Sequence, residues 1–112
     1  LPQIIGLGRA MELLLSGDAI NAAEAYRIGL VNKIVAKDEL LNTAIKLAEK
    51  IASNAPLAVQ ATKETILRSI GISIAEGLSL SENQARNLLQ TNDYKEGADA
   101  FIVKRVPKFI GR

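Results

Sequence analysis

Glu12, Glu24, Glu49, Glu76 and Glu96 are the carboxylates placed to be weighed first for proton transfer, because the chain has neither histidine nor cysteine. Those absences remove the commonest general base, thiolate nucleophiles and Cys- or His-built metal centres. Each glutamate has an ordinary structural use. Glu12 lies on an amphipathic helix and Glu49 on a polar helix face, while Glu24, Glu76 and Glu96 each stand three residues after a capping residue, Asn21, Ser73 and Asp93. Ser16 sits in a Ser-Gly-Asp turn with no base to activate its hydroxyl. Tyr26, among alanines on a short helix, is expected to pack its ring and leave the hydroxyl in water. No catalytic residue and no metal ligand is assigned to this chain.

A different chemistry gathers in the closing stretch, DYKEGADAFIVKRVPKFIGR, from Asp93 to Arg112. It has five Lys/Arg against three Asp/Glu, so it carries the whole net charge of +2, and after Asp99 it has no acid at all. Phe101 and Lys104 are three apart and are expected to share a face of one helix, with Tyr94 and Ala98 extending the stripe. An aromatic ring beside an ammonium suits a ligand with a planar base and a phosphate, such as a nucleotide. The competing reading is that Lys104, Arg105 and Lys108 simply complement a helix C-terminus, worth roughly 0.3 to 1 kcal/mol. That accounts for the cations and not for the aromatics.

The elements that position these residues are helices. Arg9 to Ser16 has good helix formers and is stopped by Gly17. Gly6 and Gly8 read as a turn, without the later residues of a phosphate-binding loop. Asn21 caps a short helix that Gly29 ends, and Leu30 to Val35 is β-branched enough to predict one short extended segment. From Asp38 to Ala52, apolar residues recur at spacings of three and four, predicting a helix with one buried side. Pro56 opens a helix that runs to about Ile70 before Gly71, and Ser73 opens another reaching Leu89 or Gln90. Asp93 with Glu96 predicts a third capping box, and Pro107 is expected to end that last helix at Lys104 or Arg105.

At 112 residues and 48% hydrophobic content the chain is long enough for one domain, but 4% aromatics means a core of Leu, Ile, Val and Ala. No apolar run is long enough for a membrane span, and no signal segment opens the chain, so the cytoplasm is the expected compartment. Outside the tail the charges balance, which argues against nucleic acid. The start at Leu1-Pro2, without Met, is expected of a processed chain or a piece of a longer protein.

Three ordered motifs add a resemblance. The run GRAMELLLSGDAINAAEAYRIGLVNKIV (Gly8 to Val35), then LA..IA...P.A....K ending at Lys63, then T.D..EG..AF..KR.P.F.G (Thr91 to Gly111), resembles the C-terminal part of enoyl-CoA hydratase/isomerase proteins, the crotonase superfamily. The resemblance covers essentially the whole chain. It implies a mainly helical, all-α C-terminal region of a crotonase-type α/β fold, serving trimerisation and the CoA edge across residues 1–112. The upstream segments with the oxyanion hole and acid/base glutamates would precede Leu1 and are absent from this sequence. It further implies an acyl-CoA thioester as substrate, with no separate cofactor, and a homo-oligomer, trimer or hexamer. Phe101 and Lys104 match the positions that meet the adenine and phosphate of CoA on a neighbouring subunit, and Lys108 is an additional electrostatic candidate. The rival expectation is a noncatalytic helical module for oligomerisation or protein binding.

Overall fold

Helix α1 (Pro2–Ile5) passes through Gly6 into α2 (Leu7–Ser16), so the predicted turn is at Gly6 alone and Gly8 lies inside the helix. Gly17 closes α2 in the left-handed conformation, its N–H donating to the Leu13 carbonyl at 3.1 Å. Helix α3 (Ala22–Arg27) is capped by Asn21, whose side chain accepts the Glu24 N–H at 2.8 Å. The Glu24 carboxylate does not complete the expected box; it turns to Arg27 instead. A 3-10 turn (Lys37–Glu39) then leads into α4 (Leu40–Ala52). The second half of the chain is built from α5 (Pro56–Arg68), α6 (Ile74–Leu88) and α7 (Asn92–Ile102). This computed structural model describes residues 1–112 as two units, Leu1–Thr43 and Ala44–Arg112, with the division inside α4.

The structure is helical and has no strand, so Leu30 to Val35, expected to be extended, lies between α3 and the next helical turn without pairing into a sheet. The cause lies in how α3 ends. Gly29, at φ 78°, lets the chain fold back so that the Gly29 N–H meets the Tyr26 carbonyl and the Leu30 and Val31 N–H groups reach Ala25. The first amides of the segment are thus used locally, and no second strand exists to pair with the rest.

Within the second unit, α5 packs on α6. Small residues set the approach: Ala61 is buried, and Gln84 reaches across to Glu64 at 3.3 Å. Ser73 and Glu76 form the complete capping box predicted for α6, the Glu76 carboxylate accepting both the backbone N–H and the hydroxyl of Ser73. Those bonds hold the Glu76 pKa below its ordinary value.

Burial departs most from expectation. The buried apolar residues are Ile5, Ala10, Ala25, Ala61 and Ala100, and no large side chain is fully enclosed. The apolar stripe of α4 is amphipathic as predicted, but it is open: Leu41 is 71% exposed, and Leu40, Ile45 and Ile51 are exposed too. Periodicity dictates which face is apolar, but burial needs an opposing surface, and nothing in this chain provides one. The chain exposes 9055 Å². A compact monomer of 12.0 kDa exposes about 6,000 Å², and two separate units of that combined mass about 7,000 Å².

Candidate functional site

Helix α7 and the segment after it carry all three residues singled out for ligand binding. Thr91 caps α7, its hydroxyl oxygen accepting the Tyr94 N–H at 3.2 Å, two residues before the expected cap. This corrects the predicted Asp93–Glu96 capping box. With Thr91 on the helix end, both carboxylates are free to bind the returning tail.

Asp93 is 2% exposed and accepts the Ile110 N–H at 2.7 Å through Oδ1 and the Gly111 N–H at 2.8 Å through Oδ2. In return the Arg112 carbonyl accepts the Asn92 and Asp93 N–H groups, at 2.8 and 3.2 Å, at the start of α7. One turn on, Glu96 takes the Arg105 guanidinium in a two-pronged pair of 2.5 and 2.8 Å and also accepts the Lys108 N–H at 2.6 Å. The Arg105 bonds, then the Lys108 N–H, lower the Glu96 pKa from the usual 4.5 to about 2. The Arg105 pKa is raised by the same contact. Residues 105–112 are therefore a strap folded back along α7.

Between the strap and the helices lies an apolar cavity of about 350 Å³, lined by Leu57, Ala58, Leu88, Tyr94, Ala98 and Phe109 among others. Phe109 packs beside Gly97, its nearest ring carbons lying 3.6 and 3.8 Å from where a Cβ would stand, an ordinary contact distance. Tyr94 and Ala98 thus line the cavity with Phe109, while Phe101, at the same helical spacing further along α7, is not part of the lining.

Phe101 is 85% exposed and outside that cavity. Lys104 is exposed and lies beyond the end of α7, contrary to the expectation that it shares a helix face with Phe101. Pro107 does not set this end. The helix stops at Ile102 because Lys104 adopts a left-handed φ of 54°, and the Arg105 N–H folds back onto the Ala100 carbonyl at 3.0 Å. Lys104 is the one non-glycine residue at positive φ. Its N–H donates to the Phe101 carbonyl at 3.3 Å, so the two residues are joined through the turn. Lys108 is exposed, with its backbone tied to Glu96. Phe101, Lys104 and Lys108 are thus each exposed, at the end of α7 and in the strap, and the strap is tied to α7 by two carboxylates that local spacing had assigned to capping. The signal that would have found them is charge complementarity across nine residues, Glu96 against Arg105 in an otherwise acid-free tail.

The first unit has one further polar cluster. Arg9, Glu12, Asp18 and Glu24 line a cavity of about 190 Å³. Glu24 is bound by Arg27 and faces Arg9 at 3.6 Å, and the Arg27 bond keeps its carboxyl below the usual range. An ion-paired carboxylate of this kind is a poor general acid at neutral pH. Tyr26 is 55% exposed, so its ring packs less than its sequence context predicted.

The family model described as enoyl-CoA hydratase/isomerase matches residues 1–112, and the chain belongs to that family. It is 43% identical over 112 residues to a probable enoyl-CoA hydratase of Rhizobium meliloti, covering all of this chain and 44% of that protein. It is 42% identical over 105 residues to a short-chain-enoyl-CoA hydratase of Clostridium acetobutylicum, covering 94% of this chain and 40% of that one. The crystal structure of an enoyl-CoA hydratase from Bacillus anthracis superposes with a TM-score of 0.96 at 41% identity, covering 99% of this chain and 43% of that chain. This chain therefore spans less than half the length of the relatives it matches. No helix in it is long and apolar enough to cross a membrane.

Proposed function

We propose that this chain is the helical, C-terminal part of a protein that hydrates 2-enoyl-CoA thioesters, and that it supplies the nucleotide edge and the assembly surface while the reacting groups lie elsewhere in the protein. The observation that carries this reading is the family match over residues 1–112 together with relatives named as enoyl-CoA hydratases. The resemblance of the three motifs to the C-terminal part of the family is what favours that position. In the proposed reaction, water adds across the 2,3 double bond, hydroxyl to the β-carbon and proton to the α-carbon. Preorganised N–H donors would hold the enolate oxygen that develops on the thioester, and two glutamates outside this chain would handle the water and the α-carbon proton. The CoA thioester is substrate and no further cofactor is required.

Phe101 would face the adenine, Lys104 a phosphate, and Lys108 would add positive potential. The exposure of each, Phe101 and Lys104 at the end of α7 and Lys108 in the strap, supports this assignment. The excess exposed surface and the open α4 stripe support burial against other polypeptide, with a trimer or paired trimers as the proposed assembly.

Hydration of crotonyl-CoA by the complete protein and by the isolated 112-residue chain tests the reading. Turnover is expected only from the complete protein. Turnover by the isolated chain would show that the reacting groups had been misplaced, and none from either would reject hydration. The α4 stripe also favours a second reading, a noncatalytic helical module that docks a protein. A complete protein that associates but binds no CoA thioester would support it.

A further inference from the structure

We propose that Asp93 and Glu96 are positioning residues for the nucleotide edge, clamping the strap so that Lys104 and Lys108 are held in place before ligand arrives. The proposal rests on the reading of this edge as the CoA-binding surface. Three observations carry it. Lys104 holds a left-handed backbone conformation that a lysine does not adopt readily by itself, so its neighbours must enforce it. The residues that follow it are fixed at four backbone or side-chain points, Arg105 and Lys108 on Glu96, Ile110 and Gly111 on Asp93. Both carboxylates stand on the rigid first turns of α7, and Asp93 is buried, so the clamp has a firm base.

Positioning and simple electrostatics make opposite predictions, which makes the idea testable. Glu96 is a negative charge among cations that would meet a phosphate. On Coulomb grounds alone, removing it should strengthen phosphate binding. If its work is to hold the strap, removing it should weaken binding, because a mobile Lys104 must be ordered at the moment of association.

The experiment uses the complete protein with crotonyl-CoA and crotonyl-pantetheine, comparing wild type, Glu96→Gln, Arg105→Gln, the double variant and Lys104→Ala. KM for crotonyl-CoA is expected to rise roughly threefold to tenfold in both single variants, bounded by loss of the lysine–phosphate contact itself. The double variant is expected to match either single one, since both break the same pair. Values of kcat, and KM for crotonyl-pantetheine, should not move. A lower KM for crotonyl-CoA in Glu96→Gln, or no change while Lys104→Ala still raises it, overturns the positioning role and leaves the CoA edge standing. Equal loss with both substrates in Glu96→Gln assigns the clamp to fold stability alone and also overturns it. If Lys104→Ala itself fails to distinguish the two substrates, the CoA edge falls and the positioning role falls with it.

Discussion

Glu96 and Arg105, nine residues apart, are joined by a two-pronged ion pair of 2.5 and 2.8 Å that folds the strap back on α7. The pair ties an acid on the helix to the basic end of the chain, and its chemistry fixes how the strap should respond to pH.

The Glu96 carboxyl is held near 2, against the usual 4.5, by Arg105 and the Lys108 N–H. A depressed folded value means that its stabilising contribution is complete above 4.5 and is lost as pH falls from there through about 2. A carboxyl-carbon NMR titration should place the Glu96 midpoint near 2. A midpoint near 4.5 would mean the clamp is not formed in solution.

Lys104→Gly should stabilise the fold while weakening the proposed nucleotide contact. Relief of the left-handed conformation at φ 54° is worth about 1 kcal/mol, read as a rise in the denaturation midpoint. A fall in stability would show that the lysine side chain has a structural partner.

Asp93→Ala leaves the Ile110 and Gly111 N–H groups without the acceptors that the buried carboxylate provides. The cost should be roughly 2 kcal/mol in chemical denaturation of the complete protein. A change of less than a few tenths would place the strap in solvent.

Ser73→Ala removes half of the α6 capping box and should cost about 1 kcal/mol, measured the same way. Glu76→Gln should cost less, since an amide oxygen still accepts the Ser73 N–H.

The contrast between Ser73 and Asp93 shows how far the sequence could be read. Both begin the same three-residue spacing to a glutamate, and at Ser73 the reading holds because capping is local. At Asp93 it fails because Thr91 takes the cap first and partners at 110 and 111 claim the carboxylate, a relation no local window contains. Family membership was legible from the ordered motifs, and the helices from their periodicity and punctuation. The exposure of the α4 stripe was not, since periodicity shows which face is apolar and not whether a surface in the chain opposes it. Nor was the end of α7, because a left-handed lysine contradicts the intrinsic preference that would place the stop at Pro107. The segment Leu30 to Val35 pairs with no strand for a third reason: the amides of Leu30 and Val31 are already used in closing α3.

The most direct test of the nucleotide edge is the ratio of kcat/KM for crotonyl-CoA to that for crotonyl-pantetheine, measured in the complete protein with and without Lys104→Ala. A charge-assisted phosphate contact predicts that the ratio falls about tenfold in the variant. An unchanged ratio, with both substrates weakened equally, would contradict the assignment of Lys104 to the nucleotide end.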